Sequence, residues 1–279
     1  MANSHYPSLP ELKGRIGAAD HAFASGGVFR CPASLDEAAA IAGNAVDGAL
    51  LLDVWRQFLS NGEIDENVLL GLGARLINEG VDRRGVTLGH DSVIRGILRA
   101  ELAGHIDIGP FVYVGDNSIL YARDGVTIGA GTLIAHNVNV FDNDTHPIDA
   151  GERVAHFQQL LGHRPGARFA IRSAPVRIGR RCWLAVNTVV CKGVTIGDDT
   201  IVSANSVVTS DLPAGVVAAG NPAVPIRELP ASPHPLPAEA PAGEGQRKRH
   251  PIAREPGGGY AGPFLAVGRL LRRLLPGAR

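Results

Sequence analysis

The sequence predicts a mainly β chain wound as a triangular prism, and three observations predict it. Aliphatic residues return every six positions from Leu88 onward. The hexads fall into groups of three, beginning at 108-114-120, 128-134-140, 178-184-190 and 196-202-208. Glycine is abundant, with 35 of 279 residues, while aromatics make up only 5%. That pairing suits short strands and many turns rather than a helical bundle.

A period of six is not the 3.6 of an amphipathic helix. It fits the two-residue alternation of a strand if each hexad is one short strand and one tight turn. The form is aliphatic, small, any, any, small or β-branched, any. IGDDTI at Ile196, LAVNTV at Leu184, IGAGTL at Ile128 and LGHDSV at Leu88 are examples. First and fifth positions are expected to point inward. The second is expected to be small because the chain turns there, and glycine fills it most often. Cys182 occupies a fifth slot and Cys191 a second slot, so both are read as packing residues. With Cys31 they form no metal-like spacing.

The rhythm stops in NVFDNDTHPIDAGER, Asn139 to Arg153, and returns only at Ile178. In the hexad at Val140 the inward fifth slot falls on Asp144, and a buried unpaired carboxylate is costly. About thirty residues are therefore expected to leave the prism as an external loop, 143–175, and loops of that length are usually functional. From the break onward the chain carries Asp142, and the loop itself Asp144, His146, Asp149, Glu152, His156 and His163.

The run VRIGRRCWLAVNTVVCKGVTIGDDTIVSANSVVTSDLPAGVVAAGNPAVPIREL resembles the hexapeptide-repeat acetyltransferases, particularly the galactoside and maltose O-acetyltransferases and relatives that decorate surface polysaccharides. The resemblance spans about Leu88 to Leu229, roughly half the chain. It implies a left-handed parallel β-helix, acetyl-CoA as donor and a homotrimer with active sites between subunits. It also implies a role for His146: the family's break carries a Thr-His-Pro or Gly-His-Pro sequence whose histidine is the general base, matched by Thr145, His146 and Pro147. Histidine titrates near neutrality and can take a hydroxyl proton and return it to a thiolate. Asp144 or Asp142 is a candidate to orient the imidazole, although loop aspartates are often turn formers. Asn117 is the nearest counterpart of the family's acceptor-side Asn.

On the donor side, Trp183 matches the family's Trp beside the cofactor, and Ala185, Ala204 and Thr209 match positions whose backbone meets the pantetheine arm. Two basic positions of the family are replaced here, by Ser210 and Val224. Positive charge for the coenzyme A phosphates then falls to Lys192, Arg180, Arg181 and Arg227. A rival reading is zinc held by His105, His136 and His146, as in hexapeptide carbonic anhydrases; His136 is third in its hexad and expected to point outward, so no metal is expected. The acceptor expected is a sugar or a lipid-linked glycan. The alternatives are N-acetylation of an amino sugar, a serine-type acyltransferase, or a catalytically silent β-helix scaffold.

Residues 1–86 lack the repeat as read from Leu88 and are expected to be mostly helical. Ser34 and Glu37 stand at capping-box spacing, Leu50, Val54, Trp55 and Phe58 suit one helix face, and DENVLLGLGARLINEG is expected as a second helix. The prism is assigned to 87–229. Residues 230–259 read as a disordered linker. Residues 260–279 form a short basic amphipathic tail able to lie on an anionic membrane surface.

The 27 Lys and Arg balance the 27 Asp and Glu, so no basic field favours nucleic acid. The N-terminal MANSHYPSLPELKGR has no apolar h-region, and no run of 18 apolar residues occurs. A cytoplasmic enzyme is expected, with peripheral contact at the inner face of the membrane through the tail.

Overall fold

In most hexads the backbone turns at the fourth residue. In the computed structural model, which describes residues 28–43, 48–80, 82–101, 103–163 and 166–233, Asp91, Phe111, Asn117, Asn137, Arg181, Asn187, Asp199 and Asn205 all have φ between 53° and 62°. Each is fourth in its hexad. Asn and Asp predominate because they tolerate the left-handed region better than other non-glycine residues.

The second residue is small for a different reason than a turn. A Cβ at Gly109 would lie 2.8 Å from the backbone nitrogen of Ala130, and one at Gly197 would lie 2.4 Å from that of Ala214. The neighbouring coil passes too close for a side chain. The expectation that the chain turns at the second position is thereby corrected: the turn lies two residues on, and the second position is set by stacking.

Three sheets form the walls of a three-sided parallel β-helix, one of nine strands and two of six. Successive coils are in register, with Ile108 aligned on Ile128, Ile128 on Ile178 and Ile178 on Ile196. The two six-stranded sheets are parallel throughout. The nine-stranded one ends in antiparallel pairs, Val28–Arg30 with Leu69–Gly71 and Val216–Gly220 with Ala223–Glu228. First-position side chains fill the interior: Leu88, Ile94, Val114, Leu120, Ile134, Leu184 and Val202 are at most 1% exposed.

The fifth position also points inward, beneath the turn. Its hydroxyls tie one coil to the next. Ser118 Oγ donates to the Ala135 carbonyl at 2.6 Å and accepts from the Val138 N–H at 3.0 Å. Thr132 Oγ1 donates to Gly179 O at 2.8 Å and accepts from the Cys182 N–H at 3.1 Å. Small and β-branched residues recur there because the hydroxyl satisfies backbone groups that the turn leaves over. Cys182 fills such a slot, and burial pushes its thiol up to about 11, away from the thiolate a nucleophile requires.

The N-terminal region departs from expectation in one element. Helix α1, Leu35–Ala42, is capped by Ser34, whose hydroxyl accepts from the Glu37 N–H at 3.2 Å. Helix α2, Gly48–Asn61, buries Leu51, Val54, Trp55, Phe58 and Leu59. The expected further helix does not form. Glu63–Ile64, Leu69–Gly71 and Arg75–Asn78 are strands of the first coil, so the repeat begins before Leu88. The hexads were present as IDENVL and LGLGAR. Val68 and Ala74 fill buried fifth slots, and Asn67 turns with φ 59°. Helix α2 packs on Arg75–Asn78, and the Asn78 side-chain amide donates to Asn61 O at 2.9 Å. It thus covers the end of the stack, where apolar side chains and strand edges would otherwise face water.

The excursion Thr145–Ile171 is a unit apart from the β-helix, which comprises the described residues up to Asp144 and from Arg172 to Pro233. The amphipathic tail, and all but 230–233 of the expected linker, lie outside the described residues. No helix among the described residues is long and apolar enough to cross a membrane.

Gly197→Ala is expected to destabilise the fold by about 1–3 kcal/mol, because its Cβ meets backbone that cannot move aside. Gly73→Ala, whose nearest heavy atom would be Arg95 O at 3.7 Å, is expected to change the urea midpoint little. Equal shifts for the two would contradict the stacking account.

Candidate functional site

Where the repeat is interrupted, Val140 still pairs with Leu120 on one side and Val190 on the other. The coil is therefore continuous up to Phe141 and resumes after a detour. A short antiparallel stem closes the detour's base. The Ala174 N–H donates to Asp142 O at 2.8 Å, and the Asp144 N–H donates to Arg172 O at 3.0 Å.

Asp142, not Asp144, is the buried carboxylate, with no exposed surface. It is well compensated. Its oxygens accept from the backbone N–H groups of Arg123 at 2.8 and 3.0 Å, Asp124 at 2.7 Å and Gly125 at 2.6 Å. The Asn143 side-chain amide adds a fifth contact at 2.9 Å. Those N–H groups belong to a corner of the preceding coil that no ladder partner satisfies. Asp142 is thus a corner clasp, which corrects its candidacy as an orienter of the imidazole.

Asp144 is partly exposed and lies between two cations. Lys192 Nζ donates to one oxygen, and Arg172 Nε donates to the other at 2.9 Å. Lys192 first, then Arg172, hold its carboxyl below the usual range. Because the folded-state pKa is lowered, the contribution to stability is present above the unfolded value and fades as pH falls through the folded one. Two expected site residues, Asp144 and Lys192, are therefore brought together, but as an ion pair at the foot of the excursion.

Within the excursion, Asp149 caps helix α3, Ala150–Leu160, accepting from the Glu152 N–H at 2.8 Å. The Arg153 guanidinium reaches back to Ile148 O at 2.7 Å and Pro147 O at 3.3 Å. His146 Nδ1 lies 3.1 Å from His156 Nδ1, with ring centroids 5.2 Å apart and planes at 65°. Phe169 lies against the other ring, its centroid 5.2 Å from that of His156. His156 went without a role in the sequence, because ten residues of separation match no helical spacing. The helix start at Asp149 and the fold-back at Arg153 bring the two rings together.

The donor-side residues are spread along the later coils. Trp183 is 48% exposed, beside Leu133 and Ile201 in register. Ala185 has its N–H committed to Val202 O at 2.9 Å, and its carbonyl accepts from the Thr188 hydroxyl at 2.7 Å. Its N–H is therefore not available to a pantetheine arm. Ala204 and Thr209 are exposed, and Asn117 is an exposed turn residue with φ 58°. Of the expected cations, Arg180 pairs with Asp198, Arg181 with Asp199 and Lys192 with Asp144. Arg227 is exposed on the final strand, without an ion pair among the described residues. His136 points outward beside Asp116, and His105 stands 3.9 Å from Asp107.

A three-sided parallel β-helix built of hexads is a scaffold rather than an activity, and the sequence comparisons supply the class. The family model for bacterial transferase hexapeptide (six repeats) matches residues 175–210. WcaF of Escherichia coli K12, named as a candidate colanic acid biosynthesis acetyltransferase, is 37% identical over 144 residues, covering 52% of this chain and 70% of its own. The galactoside O-acetyltransferase of the same organism is 32% identical over 143 residues, 51% of this chain and 64% of its own. A solved hexapeptide-repeat acetyltransferase from Vibrio cholerae, complexed with acetyl coenzyme A, is similar with a TM-score of 0.38 and 27% identity, over 53% of this chain and 72% of that one. The chain belongs to the hexapeptide-repeat acetyltransferase family and is an acyltransferase.

Asp142→Ala would leave three N–H groups without their partner, that of Gly125 buried and those of Arg123 and Asp124 partly so. It is expected to cost about 2–3 kcal/mol, read as a lowered denaturation midpoint. Asp144→Ala, which breaks a more exposed ion pair, is expected to cost about 1 kcal/mol or less. The reverse order would contradict the assignment of the clasp.

Proposed function

We propose that the chain is an acetyl-CoA-dependent O-acetyltransferase acting on a sugar or polysaccharide-precursor hydroxyl, with His146 as general base. The observation that carries the reading is the coincidence of His146 with the single long interruption of the repeat, in a chain similar to acetyltransferases named for galactoside and colanic acid chemistry. Contact at His146 Nδ1 is with another ring nitrogen, which makes Nε2 the nitrogen to meet a substrate hydroxyl.

In this reading the acceptor oxygen attacks the thioester carbonyl carbon as His146 Nε2 takes its proton. The tetrahedral oxyanion collapses, the carbon–sulfur bond breaks, and the imidazolium returns the proton to the departing thiolate. Acetyl ends on the acceptor oxygen and hydrogen on the coenzyme A sulfur. No protein nucleophile is needed, which accords with the buried, raised thiol of Cys182.

Trp183, Ala204 and Thr209 are exposed on the coils that would carry the donor, and Arg227 is the cation open to its phosphates. The exposed apolar residues Leu133 and Trp183 on one wall support assembly as a homotrimer, in which such a wall would be covered. The residues serving the acceptor are proposed as Asn117 and Asp144, the latter through its ion pair with Lys192.

His146→Ala is expected to lower kcat for acetyl transfer by about two to four orders of magnitude, with an unchanged denaturation midpoint because the side chain is exposed. Thiol release from acetyl-CoA with galactoside, sugar-nucleotide and amino-sugar acceptors measures it. Turnover near that of the wild type would remove His146 from the mechanism, and a preference for the amine over the hydroxyl would replace O- by N-acetylation.

A further inference from the structure

We propose that His156 is a positioning residue that sets the tautomer of His146. The proposal rests on the reading of His146 as base and adds to it a partner for the imidazole. An Nδ1···Nδ1 separation of 3.1 Å is hydrogen-bond distance for two ring nitrogens. One nitrogen must carry the proton and the other a lone pair, since a neutral imidazole has one of each.

Only one of the two arrangements makes His146 a base at Nε2. If His146 carries its proton on Nδ1 and donates to His156, its Nε2 lone pair is available. If His156 donates instead, His146 bears its proton on Nε2 and cannot accept another there. The reaction itself favours the first arrangement. Once His146 Nε2 has taken a proton, both its nitrogens carry hydrogen, and Nδ1–H can only donate. A neutral His156 then accepts and steadies the imidazolium, as a carboxylate does in a catalytic triad but without a fixed negative charge.

The excursion is constructed to keep that contact. His156 lies on α3 three residues after Arg153, so the two side chains leave neighbouring points of the helix surface. Arg153 holds the carbonyls of Pro147 and Ile148, the two residues that follow His146, and His156 meets the ring. Backbone and ring of the base are thus held by one helix, whose start Asp149 fixes. Phe169, packed at 53° against the His156 ring, limits rotation of the partner. The contact between the two rings is exposed, so its own contribution to stability is small.

The tautomer is read directly in the full-length protein, labelled with 15N-histidine, from long-range proton–nitrogen correlations above the pH at which the rings are neutral. The wild type is expected to show His146 protonated on Nδ1 and bare on Nε2. In His156→Ala the Nε2–H form is expected to grow, and His156→Asn, whose Oδ1 can accept in place of Nδ1, is expected to restore the wild-type form. Thiol release from acetyl-CoA with a galactoside acceptor is expected to show kcat reduced about ten- to a hundredfold in His156→Ala, KM for acetyl-CoA within about twofold, and most of the rate returned in His156→Asn. A wild-type His146 already protonated on Nε2, or a His156→Ala variant with an unchanged tautomer, overturns the proposal. Loss of activity in His146→Ala but not in His156→Ala also overturns it while leaving His146 as base. Unchanged activity in both variants removes the base assignment itself.

Discussion

Everything in the β-helix follows from how closely one coil lies on the next. Parallel strands joined by backbone hydrogen bonds stand about 4.8 Å apart, and at several corners the neighbouring backbone lies close enough to meet a Cβ. At a corner there is room for backbone but not for a Cβ, which is why Gly109, Gly129, Gly179 and Gly197 recur in the second slot. The same closeness makes the fifth-slot hydroxyls useful, since Ser118 and Thr132 each reach a neighbouring coil's carbonyl and amide. The hexad is therefore less a sequence motif than the record of a fixed distance between backbones.

The stack is regular except at the excursion, which leaves from a coil that stays in register and returns to the following one. Its stem is secured by Asp142, whose buried carboxylate gathers three consecutive N–H groups of the neighbouring corner. Beyond the stem, α3 and the segment ahead of it form their own hydrogen bonds. The candidate base is consequently positioned by local contacts within the excursion.

The repeat was legible from Leu88 onward because first-slot aliphatics and second-slot glycines are conspicuous in one chain. The first coil was not. In IDENVLLGLGARL the apolar residues crowd together: Leu69, Leu72 and Leu76 fall at i, i+3 and i+7 of a helix, while Val68, Leu70, Leu72 and Ala74 alternate as on strands. Asn67 at a left-handed turn was the signal that distinguishes them. The interruption was legible too, yet the carboxylate it was argued from was the wrong one. Counting hexads points Asp144 inward, but the chain leaves the hexad after Phe141, and Asp142 takes the interior with its charge met by backbone. The His146–His156 pair depends on a fold-back that no periodicity encodes. The acceptor-side and donor-side residues rest on family resemblance, whereas the Lys192–Asp144 pair, 48 residues apart, and the committed amide of Ala185 follow from the stacking of coils, which no local pattern encodes.

The central claim is that acetyl passes directly from thioester to acceptor hydroxyl under general-base catalysis, with no acyl-enzyme. Intact-mass measurement of the protein after incubation with acetyl-CoA alone tests it most directly. The account predicts an unmodified chain and, on adding acceptor, acetylated product with one free thiol for each acetyl transferred. A chain that gains an acetyl group in the absence of acceptor, and passes it on when acceptor is added, would contradict it.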